Sequence, residues 1–351
     1  MAALTMPGSA AAQNWGRVRT LPFNGGAIVD FCPASNDSAV VLAAMPDGFS
    51  IYSLDFISSG IIKLVSQTYL QSLVPDSSDA DDLRIIFEPT NGLLLLRPQA
   101  GNSTPVLLNI SSAPSLIRYT LGLPQGYSIG ATASAWGKLY FSPSLESSAG
   151  GSPEILAFDP KSNELSKLSV GRKLALVKQL FFVPERDSLL MLGVISTSAN
   201  SSGEQLAWLD AQGGLPPLAG AENVVLAAVC PGWIAYVVEA EEKATPGDIS
   251  PQNFRLVVVP TDASSGDKRS LLLNAQPIWL GIGDGGETAF LLAEAENGFG
   301  DLWAVNTLSR GRSRLRGEVI TARMSPSSDA CIVLPAASNQ LELFAPVEAG
   351  G

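Results

Sequence analysis

The sequence predicts an all-β fold, a seven-bladed β-propeller closed by an N-terminal strand that completes the last blade. Three observations predict it. Short apolar runs of four to eight residues alternate with clusters of Gly, Pro, Asn, Asp and Ser, while few segments carry a 3.6-residue apolar period. One pattern, an apolar run, a tight turn and a second apolar run, recurs at near-constant spacing. The two chain ends hold complementary parts of one unit.

The recurrence is clearest around proline. It reads IVDFCPASNDSAVVLAA at Pro33, RIIFEPTNGLLLL at Pro89, QLFFVPERDSLLML at Pro184, LAAVCPGWIAYVV at Pro231 and ITARMSPSSDACIVL at Pro326. Successive intervals are 56, 95, 47 and 95 residues, so each long interval hides one more unit. ATASAWGKLYF, around Trp136, and WLGIGDGGETAFLL, from Trp279, have the same form and fill the two gaps. Each unit continues with a third run: FSIYSLDF, PVLLNIS, EILAFDP, QLAWLDA, FRLVVVP, DLWAVNT and QLELFAP. A more polar fourth run follows in most units: IIKLVSQ, SLIRYTL, ELSKLSV, KRSLLLN and RSRLRGE. In the fourth unit this outer run, expected near Gly214–Leu218, holds two prolines, which an edge strand tolerates and a central strand does not. Four strands in a unit of about 49 residues is the arithmetic of a propeller blade.

The ends complete the count. The seventh unit stops after its third strand at Phe344, and the chain start offers an orphan polar strand, GRVRTLPF, at 16–23. Placed beside QLELFAP, that strand closes the ring and removes two exposed sheet edges. The expected organisation is a flexible segment over 1–15, one propeller domain over 16–346 and a tail over 347–351.

Composition narrows the chemistry. Histidine is absent, which removes Ser-His-Asp and Cys-His catalysis, imidazole metal sites and the usual base near pH 7. A net charge of −11 argues against nucleic acid as a partner. No apolar run is long enough to span a bilayer. Three widely spaced cysteines, Cys32, Cys230 and Cys331, do not make a disulfide framework and suit a reducing interior, cytoplasmic or nuclear. The acid-free, arginine-bearing N-terminus leaves organellar import open.

GAIVDFCPASNDSAVVLAAMPDGFSIYSLD, with its Asp47-Gly48 turn, resembles a blade of the WD40 kind. The resemblance extends over the seven units, but the Trp-Asp dipeptide and the Gly-His pair of that family are missing. A closed repeat fold, no histidine, no metal or nucleotide motif and an intracellular signature together point to a non-catalytic scaffold, a subunit that holds other proteins in a larger complex.

Gly281-Ile-Gly-Asp-Gly-Gly286 lacks the Lys-Ser/Thr and helix of a phosphate loop and reads as a blade turn. The acidic stretches PDSSDADD and VVEAEEK lack a calcium-loop spacing and read as solvated loops. Lactonase-type propellers hold a metal in the channel on carboxylates from several blades. Here the channel-lining runs carry little beyond Asp30. The tryptophans at 15, 136, 208, 233, 279 and 303 read as filling between blades. No catalytic residue, metal ligand or cofactor is therefore expected.

One basic feature stands out on an acidic chain. Arg310, Arg312, Arg314 and Arg316 lie on the sixth blade's outer strand, and closure brings Arg17 and Arg19 onto the outer strand of the seventh. Strand alternation would point Arg312, Arg314 and Arg316 together, and likewise Arg17 and Arg19. These six are the candidate partner-binding residues, suited to an acidic segment of another subunit. Reversing Arg314 and Arg316 is expected to leave the fold intact. The alternative reading is a propeller hydrolase or lyase with a carboxylate-lined channel, or a binder of a small ligand or glycan.

Overall fold

The computed structural model describes residues 14–347 apart from 75–82, 99–104, 112–115, 125–126, 128, 144–153, 169, 171–172, 197–202, 211–213, 240–253, 263–266, 274–276 and 295–298. The acidic stretch PDSSDADD and most of VVEAEEK therefore lie outside the described residues.

Strand β1 (Asn14–Pro22) comes first and belongs to the last blade. Blade 1 is β2 (Ala27–Pro33), β3 (Ser38–Met45), β4 (Gly48–Asp55) and β5 (Gly60–Val65). After the short helix α1 (Gln67–Leu73), blade 2 is β6 (Leu83–Glu88), β7 (Leu93–Pro98), β8 (Val106–Asn109) and the three-residue β9 (Ile117–Tyr119). Blade 3 is β10 (Ile129–Ala135), β11 (Lys138–Pro143), β12 (Ile155–Asp159) and β13 (Glu164–Leu168). Blade 4 is β14 (Lys173–Val183), β15 (Ser188–Ser196), β16 (Glu204–Leu209) and β17 (Pro217–Glu222). Blade 5 is β18 (Val224–Cys230), β19 (Trp233–Glu239), β20 (Phe254–Pro260) and β21 (Arg269–Leu273). Blade 6 opens with β22 (Pro277–Ile282), β23 (Thr288–Glu294) and β24 (Gly300–Asn306). The long β25 (Arg312–Met324) is outer strand of blade 6 in its first half and inner strand of blade 7 in its second. Blade 7 ends with β26 (Cys331–Pro335), β27 (Gln340–Val347) and β1.

Closure follows the expected pairing: β1 runs antiparallel to β27, with Leu21 opposite Leu341, Arg17 opposite Phe344 and Asn14 opposite Val347. Two local expectations need correction, and one element was not expected. The weak outer strand of blade 4 lies at Pro217–Glu222, a few residues later than expected, and starts on the second proline, which an edge position tolerates. The outer strand of blade 6 and the inner strand of blade 7 are one continuous strand rather than two. Helix α1 was not legible from periodicity, since seven residues are too few; Ser66 caps it by accepting from the Tyr69 amide.

The core is organised between blades. Among the described residues the buried apolar side chains form seven clusters, and each one straddles a pair of neighbouring blades. Cys32, Leu42 and Ile51 of blade 1 meet Ile85, Leu94 and Leu108 of blade 2; the last seam joins Leu21, Ile332 and Leu343 of blade 7 to Phe31, Val41 and Leu54 of blade 1. Every blade thus buries both faces, which is why its central strands are almost continuously apolar. Five of the six tryptophans sit in these seams, Trp15 edge-on to Phe290 at 4.5 Å being the closest ring pair. Trp303 lies apart from them and is partly exposed.

The hairpin turns after the inner strands also touch around one face. Trp136 donates to Asp187 and the Gly232 amide to Glu185, and from the outer strand β21 Arg269 reaches the Gly286 carbonyl at 2.9 Å. Gly286 has φ +67°, and a Cβ there would meet the Trp233 ring at 2.5 Å, so the glycine-rich run at 281–286 is a turn shaped by its neighbour blade. No described helix is long and apolar enough to cross a membrane.

Candidate functional site

Two places hold polar chemistry: the inner strands at the centre of the ring, and the rim where blades 6 and 7 meet.

At the centre, Asp30 of β2 is buried and fully engaged. Its Oδ1 accepts from the Phe31 amide at 2.9 Å and from Arg323 at 2.8 Å, while its Oδ2 accepts from the Ile85 amide at 3.0 Å. Arg323, on the inner half of β25, also donates to the Phe31 carbonyl and to Cys32 Sγ, and Cys32 in turn donates to the Ile85 carbonyl at 3.2 Å. Blades 7, 1 and 2 are thereby tied by one network. Burial pushes the Cys32 thiol up, with the Arg323 charge opposing, so it stays a neutral donor. Cys32 thus links blades as well as packing between them, and Cys331 is likewise buried, its thiol pushed up by that burial. A second tie of this kind joins blades 4 and 5, where Gln179 accepts from the Ala227 amide at 2.9 Å. Asp30 and Gln179 each stand at a register shift in their strand, which turns a polar side chain toward the next blade. No group of three His, Cys, Asp or Glu that could hold a metal occurs among the described residues.

On the rim, β25 carries the arginines, and two irregularities decide where they point. The pairing of β24 with β25 shifts between Leu302, opposite Arg316, and Trp303, opposite Arg314, leaving Leu315 as an extra residue. Arg312 and Arg314 therefore share the side of Trp303 and Val305, facing blade 5. Arg316 falls on the side of Leu302, facing blade 7. The expectation that the three point together is corrected by this bulge. A shift between Arg17 and Arg19 does the same on β1. Arg17 stands opposite Phe344 on the blade 6 side, and Arg19 opposite Leu343 on the blade 1 side.

The six arginines then fall into three groups. Arg17 and Arg316 converge on Glu342, a fully buried carboxylate in the middle of β27, at 3.2 and 3.1 Å. The Arg17 contact is a hydrogen bond, and Gln340 donates to the same oxygen at 3.1 Å; the Arg316 contact is close but not aligned as one. This is a clasp between the closing strand and blade 6, so reversing Arg316 would set two carboxylates together in a buried place. The expectation of an intact fold is withdrawn for Arg316. Arg314 pairs with Asp301 at 2.7 Å. Arg310, in the turn at φ +65°, Arg312 and Arg19 are exposed and pair with no carboxylate among the described residues. Arg312 reaches across the seam to the Leu272 carbonyl of blade 5. Beside them an open polar basin of about 450 Å³ is lined by Arg314, Leu315, Arg316, Gly317 and Glu318.

Sequence reasoning missed Glu342 and Arg323, the two residues that organise these places. Both left a signal: a charged residue inside an otherwise apolar central or inner strand, in QLELFAP and ITARMSP.

No family's sequence profile matches this chain, and no curated protein is similar enough in sequence to match it. Solved structures do resemble it. The oligogalacturonate lyase of Vibrio parahaemolyticus is 9% identical, with a TM-score of 0.62, over 97% of this chain and 98% of that one. The WD40 β-propeller domain of Doa1 is 12% identical, with a TM-score of 0.57, over 96% and 98%. A chain of the mitotic checkpoint complex is 15% identical, with a TM-score of 0.57, over 99% of each. At these identities the likeness is one of fold alone, and that fold is a β-propeller.

Proposed function

We propose that this protein is a non-catalytic propeller that holds a partner protein through the rim of blade 6. The observation that carries the reading is the pair Arg310 and Arg312: two exposed guanidinium groups with no carboxylate partner among the described residues, beside a polar basin, on a chain of net charge −11. Arginine forks suit carboxylates of an acidic segment, and a local positive patch on an acidic body selects where such a segment lands. One similar propeller is a chain of the mitotic checkpoint complex, which favours a partner that is protein. The alternative of a channel enzyme has less support, because both oxygens of Asp30 are already engaged.

The test uses the full chain with Arg310→Glu and Arg312→Glu together. Melting temperature should stay within a few degrees, since exposed substitutions cost about 0.5 kcal/mol or less. Salt-sensitive partners captured by cross-linking and identified by mass spectrometry should be lost. A partner list unchanged by the reversal, at low and high salt alike, refutes the rim as the docking surface.

A further inference from the structure

Next to the free arginines lies a cavity of different character. It holds about 240 Å³ and is lined by Leu273 of blade 5 and by Pro277, Leu291, Ala293, Trp303, Val305 and Arg312 of blade 6. Six of the seven lining residues are apolar. The slot lies in the seam between the two blades, where a closed ring would otherwise be packed solid, and Trp303 is the one tryptophan that fills no inter-blade cluster. Its volume falls below the roughly 300–1,000 Å³ of pockets that enclose a whole small ligand, and it suits a single inserted side chain.

We propose that this slot takes one large apolar side chain of a partner peptide, whose flanking acidic residues engage Arg310 and Arg312. This rests on the docking rim argued above and names what the rim recognises. The occupant follows from the arrangement of charge. Arg312 forms part of the slot's wall, Arg310 lies two residues before it, and neither pairs with a carboxylate among the described residues. A neutral apolar anchor would leave both charges unused, and a basic segment would be repelled. Deep apolar anchoring with a charged surround is how a short segment gains affinity from a small area. The Arg312 contact with the Leu272 carbonyl holds the guanidinium at the slot instead of letting it sweep through solvent.

The experiment uses the full chain immobilised against a synthetic library of nine-residue peptides, with Asp and Glu at the flanks and the central residue randomised. Leu, Ile, Met or Phe should be enriched at the centre over Ser and Lys by at least tenfold. Ala293→Leu fills the slot from β23 and should abolish that preference while acidic peptides still bind weakly. Arg310→Glu with Arg312→Glu should abolish binding of the whole library. Should Ala293→Leu fail to fold, Trp303→Leu removes one wall at a partly exposed position and carries the same expectation. Equal binding at every central residue, or a preference that survives Ala293→Leu, overturns the slot but leaves the rim standing. Library binding unaffected by the arginine reversal overturns both. A second copy of this chain as occupant would show as a concentration-dependent dimer in sedimentation that Ala293→Leu dissolves, and that too overturns a peptide site.

Discussion

At the scale of single residues, burial sets the behaviour of the thiols and phenols. Burial pushes the Cys331 thiol and the Tyr127 hydroxyl up, the latter helped by the nearby Glu154 charge, and raises Cys32, Tyr140 and Tyr236 as well. The unfolded chain therefore gives up these protons before the folded chain does. A folded value above the unfolded one means stability is fully present below the ordinary thiol value of 9.0 and is lost as pH rises past it. The melting temperature should hold steady to about pH 8.5 and then fall toward pH 11, and Cys331→Val should flatten part of that fall. A melting temperature constant to pH 11 contradicts this. The Asp30–Arg323 pair makes a second claim at this scale. Arg323→Met leaves a buried carboxylate with backbone amides alone. It should cost about 1.5–3 kcal/mol in urea unfolding, the range for hydrogen bonds to charged groups, and the lower end is expected because Arg323 is about one-third exposed. A cost near zero means solvent already replaces the guanidinium.

At the scale of strands, the clasp on Glu342 predicts an order of effects. Removing Arg17 leaves Glu342 with Arg316 and Gln340, and Arg17 is itself half exposed, so Arg17→Ala should cost under about 1 kcal/mol. Removing Glu342 leaves the Arg316 Nε buried without any partner, so Glu342→Ala should cost about 1–3 kcal/mol more. Urea titrations of the two variants check the order, and equal costs refute the clasp. This level also shows where the sequence was legible. Blade count, strand order and the closing pair β1–β27 could be read because apolar runs and turn residues are set by local burial and backbone chemistry. Bulges could not. The shifts at Leu315 on β25 and Val18 on β1 depend on how two distant strands twist together, and no residue type marks them. A one-residue slip sends every later side chain to the opposite face. The six-arginine stripe is therefore legible as a set of residues on neighbouring strands but not as a set of directions, and its division between Glu342, Asp301 and solvent is set by the folded pairing of the strands.

For the whole molecule, the seven inter-blade clusters make the ring a chain of equal dependencies, and β1 is the link that joins its ends. It contributes to two seams at once: Trp15 packs on Phe290 on the blade 6 side, while Leu21 and the adjoining Phe23 enter the cluster shared with blade 1. Phe23 also stacks edge-on against Tyr52 at 5.0 Å, and its amide donates to the Asn339 carbonyl at 3.0 Å. Deleting residues 1–24 would uncover all of this. Leu21 and Phe23 alone represent about 1.5–3 kcal/mol each of lost apolar burial. The carboxylate of Glu342 would lose Arg17, and the backbone edge of β27 from Gln340 to Val347 would be left without a partner strand. An open, apolar edge strand recruits other chains. The truncated protein should melt at markedly lower temperature and form soluble oligomers or precipitate. A synthetic peptide spanning residues 14–24, added in excess, should restore both the melting temperature and the monomer, because it rebuilds the same pairing without covalent continuity. A truncated chain that stays monomeric with its melting temperature unchanged would mean that blades 1 to 7 hold the ring without the closing strand.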